Sequence, residues 1–200
     1  MKTRSGESVP LGELLDEAIV RAGKIIQEKN SNLSESEKTD ITRKIGIGAV
    51  KYADLSQYRM TDYIFSWEKM LSFQGNTAPY LQNAYVRIRS IFRKAGEEGK
   101  TAGKSTTNQI MLEATEERNL AAKLCQFAEI VPSVLNDFRP NVLANYLFEL
   151  ANAFHAFYEA CPVLKSDEPA RSSRLLLCDL TGRALEQGLG LLGIEVPERM

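Results

Sequence analysis

Four side chains at helical spacing, Tyr80, Asn83, Arg87 and Lys94, carry the most informative chemistry in this 200-residue sequence. Three, four and seven residues apart, they share one face of a helix, with Arg89 and Arg93 flanking them. An aromatic ring can stack on a nucleobase, an amide can bond a base edge and a guanidinium can hold a phosphate, so the ridge suits single-stranded RNA. The polar turn Gln74-Gly75-Asn76-Thr77 stands immediately before it. Residues 77–104 carry 6 basic and 2 acidic groups while residues 105–200 carry 8 and 13, so a formal net charge of −1 conceals one basic segment. Tyrosines beside arginines are also common at protein interfaces, which keeps a protein-docking face as the competing expectation.

Other chemistries are disfavoured by the residues present. His155 is the only histidine, so a mechanism needing two imidazoles is excluded; its helical neighbours Ala151, Asn152 and Tyr158 offer no carboxylate, and a surface or half-buried histidine is expected. Cys125, Cys161 and Cys178 are odd in number and set among apolar residues, which predicts reduced, buried thiols and neither a disulfide frame nor a metal site. Gly99 to Ser105 lacks the spacing of a phosphate-binding loop. The densest apolar stretch, Leu175 to Leu180, is broken by Asp179 and far too short to span a bilayer, and the polar start Met1 to Gly6 does not resemble a secretory signal. These features predict a cytoplasmic protein with no membrane partner and no DNA partner.

The elements that must position the ridge read as helices. Leu11, Leu14, Leu15, Ala18, Ile19, Ala22, Ile25 and Ile26 recur at three- and four-residue intervals up to about Asn30. Ser34 and Glu37 form a capping-box pattern that opens a second helix, expected to end near Val50. Lys51 to Gly75 reads as short extended pieces with a brief helix at Glu68 to Ser72. The ridge helix runs from Pro79 to Ala95, with Leu81, Ala84, Tyr85, Ile88, Ile91 and Phe92 facing inward and Gly96 ending it; Glu97 to Asn108 reads as a polar linker. Helices follow over about 110–124, 140–160 and 168–192, with a shorter one near 129–137 and Pro132, Pro140 and Pro162 as boundaries. The expected fold is all-α, in two packed parts over 1–76 and 77–200, joined near Gly75 to Pro79.

Longer blocks add a resemblance. Lys-Ile-Gly-Ile-Gly-Ala-Val-Lys-Tyr-Ala-Asp-Leu-Ser (44–56), Asp-Tyr-Ile-Phe-Ser-Trp (62–67), Gly-Asn-Thr-Ala-Pro-Tyr-Leu-Gln (75–82), Arg-Ile-Arg-Ser-Ile (87–91), Leu-Ala-Asn-Tyr-Leu-Phe-Glu-Leu (143–150), Phe-Tyr-Glu-Ala-Cys-Pro-Val-Leu (157–164) and Gly-Leu-Leu-Gly-Ile-Glu-Val-Pro-Glu-Arg-Met (190–200) occur in order. With them the whole chain resembles the C-terminal part of bacterial-type arginyl-tRNA synthetases, class I ligases with a DALR-type anticodon-binding domain. The resemblance implies that residues 1–76 are the end of a catalytic domain: Met1 to Gly6 as a degenerate K-M-S-K-S-type loop in which Lys2 would meet ATP, then stem-contact helices over Leu11 to Ser72. Residues 77–200 would be the anticodon-binding helical bundle. Arginine tRNA and the N-terminal catalytic part of the synthetase are the implied partners.

Carried over by position, the resemblance places Gln74, Gly75, Asn76, Tyr80, Asn83, Arg87, Tyr146 and Met200 toward the anticodon loop. Asn83 departs from the tyrosine common there and cannot stack on a base, a loss of about 1–3 kcal/mol of contact. Tyr146, beside Leu143, Leu147 and Leu150, equally fits a core position. One histidine cannot supply an H-I-G-H-type motif, and no alternation of strands and helices suggests a nucleotide-binding fold. The implied roles are therefore RNA binding with no catalytic residue and no cofactor in this chain, ATP with magnesium belonging to the full-length ligase. A stand-alone protein-interaction module derived from a synthetase is the alternative. The chain by itself is expected to show no arginine- and tRNA-dependent pyrophosphate exchange with ATP, and measurable turnover by a clean preparation would contradict that expectation.

Overall fold

Apolar residues three and four apart must find a partner surface, and in this chain every such stripe finds another helix. The structure, a computed structural model, describes residues 10–29, 33–62, 64–97 and 110–200. Among the described residues there are helices α1 (Leu11–Lys29), α2 (Glu35–Leu55), α3 (Trp67–Met70), α4 (Ala78–Glu97), α5 (Thr115–Cys125), α6 (Phe127–Asp137), α7 (Pro140–Ala160) and α8 (Ala170–Leu191), and no strand. The fold is all-α. Met1 to Gly6, Lys2 included, and nearly all of the expected linker lie outside the described residues. No helix among them is long and apolar enough to cross a membrane.

α1 and α2 pack as an antiparallel pair with their backbones in contact. A Cβ on Gly46 would lie 2.8 Å from the Cα and N of Ile19, and one on Gly23 would lie 3.3 Å from Cγ2 of Thr42. The capping box at the start of α2 forms as expected: the Glu37 N–H donates to Ser34 Oγ at 3.3 Å, and the Ser34 N–H donates to Glu37 Oε2 at 3.0 Å. Bonds from the Ser34 side chain and backbone hold the Glu37 carboxyl below its ordinary pKa. Ala22, Ile26, Ile41, Ile45, Ala49, Met70 and Leu71 close a small core with Phe65, Trp67 and Phe73 around it.

The larger core joins α4, α5, α7 and α8 around Leu81, Ile88, Leu120, Leu147, Phe154, Leu175 and Leu185. Tyr52 of α2 is buried in it and Leu55 packs against it, which is why α2 continues to Leu55 and does not end near Val50. The inward stripe of α4 is as expected, with Leu81, Ala84, Tyr85, Ile88 and Ile91 buried and Phe92 packed against them. Glu117 pins the start of α5, accepting the N–H groups of Glu113 at 2.7 Å and Ala114 at 2.9 Å while Arg174 of α8 donates its Nε at 2.6 Å.

Two expectations need correction. Pro132 lies inside α6 and marks no boundary; the break falls at Gln126, between α5 and α6. Pro140 does open α7, and Pro162 follows its end. Cys125 is exposed at the end of α5, whereas Cys161 and Cys178 are buried; all three are free thiols. Burial pushes the Cys178 thiol up to about 12, so it stays protonated and unreactive. The α1–α2 contact yields a test: Gly46→Ala should lower stability by about 1–3 kcal/mol, because the new methyl meets the α1 backbone and the helices must separate. Urea unfolding of the two proteins measures it.

Candidate nucleic-acid interface

α4 begins at a turn that its own side chains tie together. Thr77 Oγ1 donates to the Ser72 carbonyl at 2.6 Å and accepts the Tyr80 N–H at 3.3 Å, satisfying an N–H group at the helix start. Gly75 takes φ +80, which a side chain rarely adopts. Gln74, Gly75 and Asn76 are thereby exposed, along a cleft of about 700 Å³ whose lining includes Ile64, Phe65 and Tyr52. The Tyr52 hydroxyl sits 2.5 Å from Asn76 Oδ1 and 2.9 Å from the Ala144 carbonyl oxygen, and burial raises its pKa.

From this turn, α4 and α7 run side by side in the same direction, and their polar contacts advance together. Asn76 Nδ2 donates to Asn145 Oδ1 at 3.4 Å, and Tyr80 Oη donates to Asn152 Oδ1 at 2.6 Å. Arg87 Nη1 meets His155 Nδ1 at 3.2 Å, and the Arg87 guanidinium carbon lies 5.3 Å from the Tyr158 ring centre. The Tyr80 ring packs against Phe148 and His155 with centroids at 5.7 and 5.0 Å. Beyond Arg87 the seam opens into a cleft of about 600 Å³ lined by Ser90, Lys94, Tyr158, Glu159 and Lys165. The seam follows α4 from Ala78 to Lys94, about 24 Å at the helical rise.

The C-terminal tail decides which cations remain available. It leaves α8 through Gly193, at φ +69, with the Ile194 N–H bonded to the Leu189 carbonyl at 2.9 Å. Glu195 then takes Arg43 in a two-pronged pair at 3.1 and 2.8 Å, and the Glu195 carbonyl accepts Gln82 Nε2 at 2.8 Å. Glu198 takes Arg89 through its carboxylate and Arg93 through its backbone carbonyl, both at 2.9 Å. Arg87, Lys94 and Lys165 have no carboxylate partner among the described residues, and all three line one cleft.

The structure therefore brings Tyr80, Arg87 and Lys94 to one seam and puts the turn residues Gln74, Gly75 and Asn76 at its head. Asn83 and Met200 form a pair of their own: Asn83 Nδ2 lies 4.0 Å from Met200 Sδ, and Met200 packs toward the small core of α1 to α3. Tyr146 is separate from both groups. Its ring is 2% exposed, its hydroxyl donates to the Lys123 carbonyl at 2.9 Å, and burial pushes its pKa up to about 12, so it is a core tyrosine. Sequence reasoning missed Tyr158 and Lys165 and left His155 without a partner. The signal was present as a stripe on α7, Asn145, Asn152, His155 and Tyr158, at helical spacing facing α4.

Comparison with known proteins bears on this seam. Residues 81–200 match the DALR anticodon binding domain family, which takes in most of α4 and everything after it. The chain belongs to that family. Residues 1–67 match the tRNA synthetases class I (R) catalytic domain. All of the chain aligns with the arginine–tRNA ligase of Cellvibrio japonicus at 53% identity and with that of Alteromonas mediterranea at 54%, in each case over 34% of the relative's length. In structure, 96% of it matches the arginyl-tRNA synthetase of Thermus thermophilus with a TM-score of 0.87 and 35% identity, covering 32% of that protein. The corresponding values for the Plasmodium falciparum enzyme are a TM-score of 0.81, 33% identity and 34%. The chain thus spans about a third of the length of the relatives it matches, and the DALR region holds all of the seam beyond Asn76 and Tyr80.

Proposed function

We propose that this chain binds the anticodon loop of arginine tRNA as the C-terminal part of an arginyl-tRNA synthetase, with the α4–α7 seam as the contact surface. One observation carries the reading: Arg87, Lys94 and Lys165, in no ion pair among the described residues, converge beside the half-exposed ring of Tyr158, while the neighbouring Arg89 and Arg93 are held by the tail. Cations that neutralise phosphates beside an aromatic ring are what a single-stranded loop requires. Among the described residues Glu159 is the one carboxylate lining that cleft, and it opposes a uniformly anionic ligand there, which favours a strand that presents both bases and phosphates.

In this reading Gln74, Gly75 and Asn76 meet the loop at the head of the seam, Tyr80 and Arg87 meet it midway, and Asn83 with Met200 borders it on the tail side. Tyr146 contributes through the core by fixing α7 against the Lys123 carbonyl. Residues 1–76 would serve as the stem-contact end of the catalytic domain and residues 77–200 as the anticodon-binding bundle, docked in the whole cytoplasmic ligase against its N-terminal catalytic part. ATP and magnesium belong to that whole enzyme, and Lys2, which the resemblance assigns to ATP, lies outside the described residues. The match of the entire chain to arginine–tRNA ligases does not favour a free-standing interaction module.

Reversal of charge at the centre of the seam tests the reading. Arg87→Glu should weaken binding of an arginine-tRNA anticodon stem-loop by roughly 1–3 kcal/mol and flatten its salt dependence. Arg183→Glu, on an exposed α8 side chain paired with Asp179, should change it little. Equal, undiminished affinity of both variants, each verified as folded by its helical circular dichroism, would remove the seam from RNA binding.

A further inference from the structure

We propose that His155 is the positioning residue of the seam: its Nδ1 lone pair holds the Arg87 guanidinium against Tyr158 and so presents the remaining N–H groups of Arg87 to RNA. The inference rests on the RNA reading above, and its geometry stands independently. A guanidinium only donates hydrogen bonds, so at 3.2 Å from Arg87 Nη1 the His155 Nδ1 must be the acceptor. The imidazole is then neutral with its proton on Nε2. That nitrogen is enclosed and has no hydrogen-bond partner among the described residues. Tyr80 flanks the ring at 5.0 Å and Phe154 at 5.7 Å, and in this orientation Nδ1 is the nitrogen that faces Arg87.

The surroundings keep the acceptor available. Burial first, and the Arg87 charge second, lower the His155 pKa below its ordinary value, while Glu159 pulls weakly the other way. Among the described residues the charged groups acting on the ring are Arg87 from α4 and Glu159 from α7, with Tyr80 packed on the imidazole and Tyr158 on the far side of Arg87. A protonated imidazole would lose the acceptor and set two cations against each other, so the neutral state is the one that holds Arg87. Arg87 has no other hydrogen-bond partner among the described residues. Without His155 only the Tyr158 ring would restrain it, and a ring face does not fix the direction of the N–H groups.

The test is a double-mutant cycle between His155→Phe and Arg87→Met, read as affinity of the full chain for an arginine-tRNA anticodon stem-loop. His155→Phe keeps a ring of similar shape and removes the acceptor; it should weaken binding about threefold to tenfold. In the Arg87→Met background the same change should have no further effect. His155→Asn, which places an amide oxygen near the Nδ1 position, should restore most of the loss. A loss of the same size in both backgrounds, or no rescue by asparagine, would overturn the proposal. Nitrogen NMR of the single imidazole gives a second readout: a proton on Nε2, an acceptor-type Nδ1, and a titration midpoint that rises in Arg87→Met. If Arg87→Met leaves RNA affinity unchanged, the RNA reading fails. The NMR arm then still decides the contact, since an imidazole signal that ignores Arg87→Met shows that His155 does not hold Arg87.

Discussion

The side chain of Gln82, fully buried on α4, donates its amide protons to the Lys44 carbonyl of α2 at 3.2 Å and to the Glu195 carbonyl of the tail at 2.8 Å. This one amide ties together the helix pair that precedes α4, α4 itself and the strap that follows α8. Bonds to two carbonyls on different elements fix its orientation, and withdrawing a buried donor of this kind costs about 1–3 kcal/mol. Gly48 makes the approach possible, because a Cβ there would meet Gln82 Nε2 at 3.0 Å and Ile194 Cγ2 at 3.1 Å. With α4 located in this way, its opposite face must lie along α7, and the register of the seam follows.

The tail matters to function through what it removes from the surface. Exposed ion pairs such as Arg43 with Glu195 or Arg89 with Glu198 contribute about 0–1 kcal/mol each, too little to hold a strap. Ile194, 3% exposed, supplies more, of order 1.5–3 kcal/mol for a fully buried side chain of its type. The apolar contact and the Gln82 bond therefore seat the strap, and the ion pairs choose which arginines it covers. Covering Arg89 and Arg93 leaves the uncovered positive charge of α4 at Arg87 and Lys94, and a diffuse basic helix becomes one directed cleft.

The ridge on α4 and the span of α7 were legible because both depend on local periodicity: Tyr80, Asn83 and Arg87 needed only the helical repeat, and Pro140 marked its helix start without help from distant residues. What the sequence left obscure depends on contacts between elements. Nothing near His155 in sequence announces Arg87, and only the parallel packing of α4 on α7 joins them. Tyr146 shares the spacing of its leucine neighbours, so periodicity allowed a core or a surface place until the Lys123 carbonyl appeared opposite its hydroxyl. Cys125 was misread because it ends α5 on the exposed side, whereas Ala121 and Leu124 beside it pack against the core that Leu120 enters. Pro132 failed as a boundary because the chain breaks its helix six residues earlier, at Gln126. The polar stripe on α7 was visible as spacing, yet its meaning required the partner helix.

The α4–α7 seam is the surface proposed to meet RNA. Amide chemical-shift mapping during titration with an arginine-tRNA anticodon stem-loop tests it most directly, since it locates contact without altering a residue. The largest shifts should fall on Asn76, Tyr80, Arg87, Lys94, Tyr158 and Lys165 and saturate together at one RNA per chain. Shifts confined to α1 or to the exposed face of α8, with the seam unchanged at saturation, would contradict it.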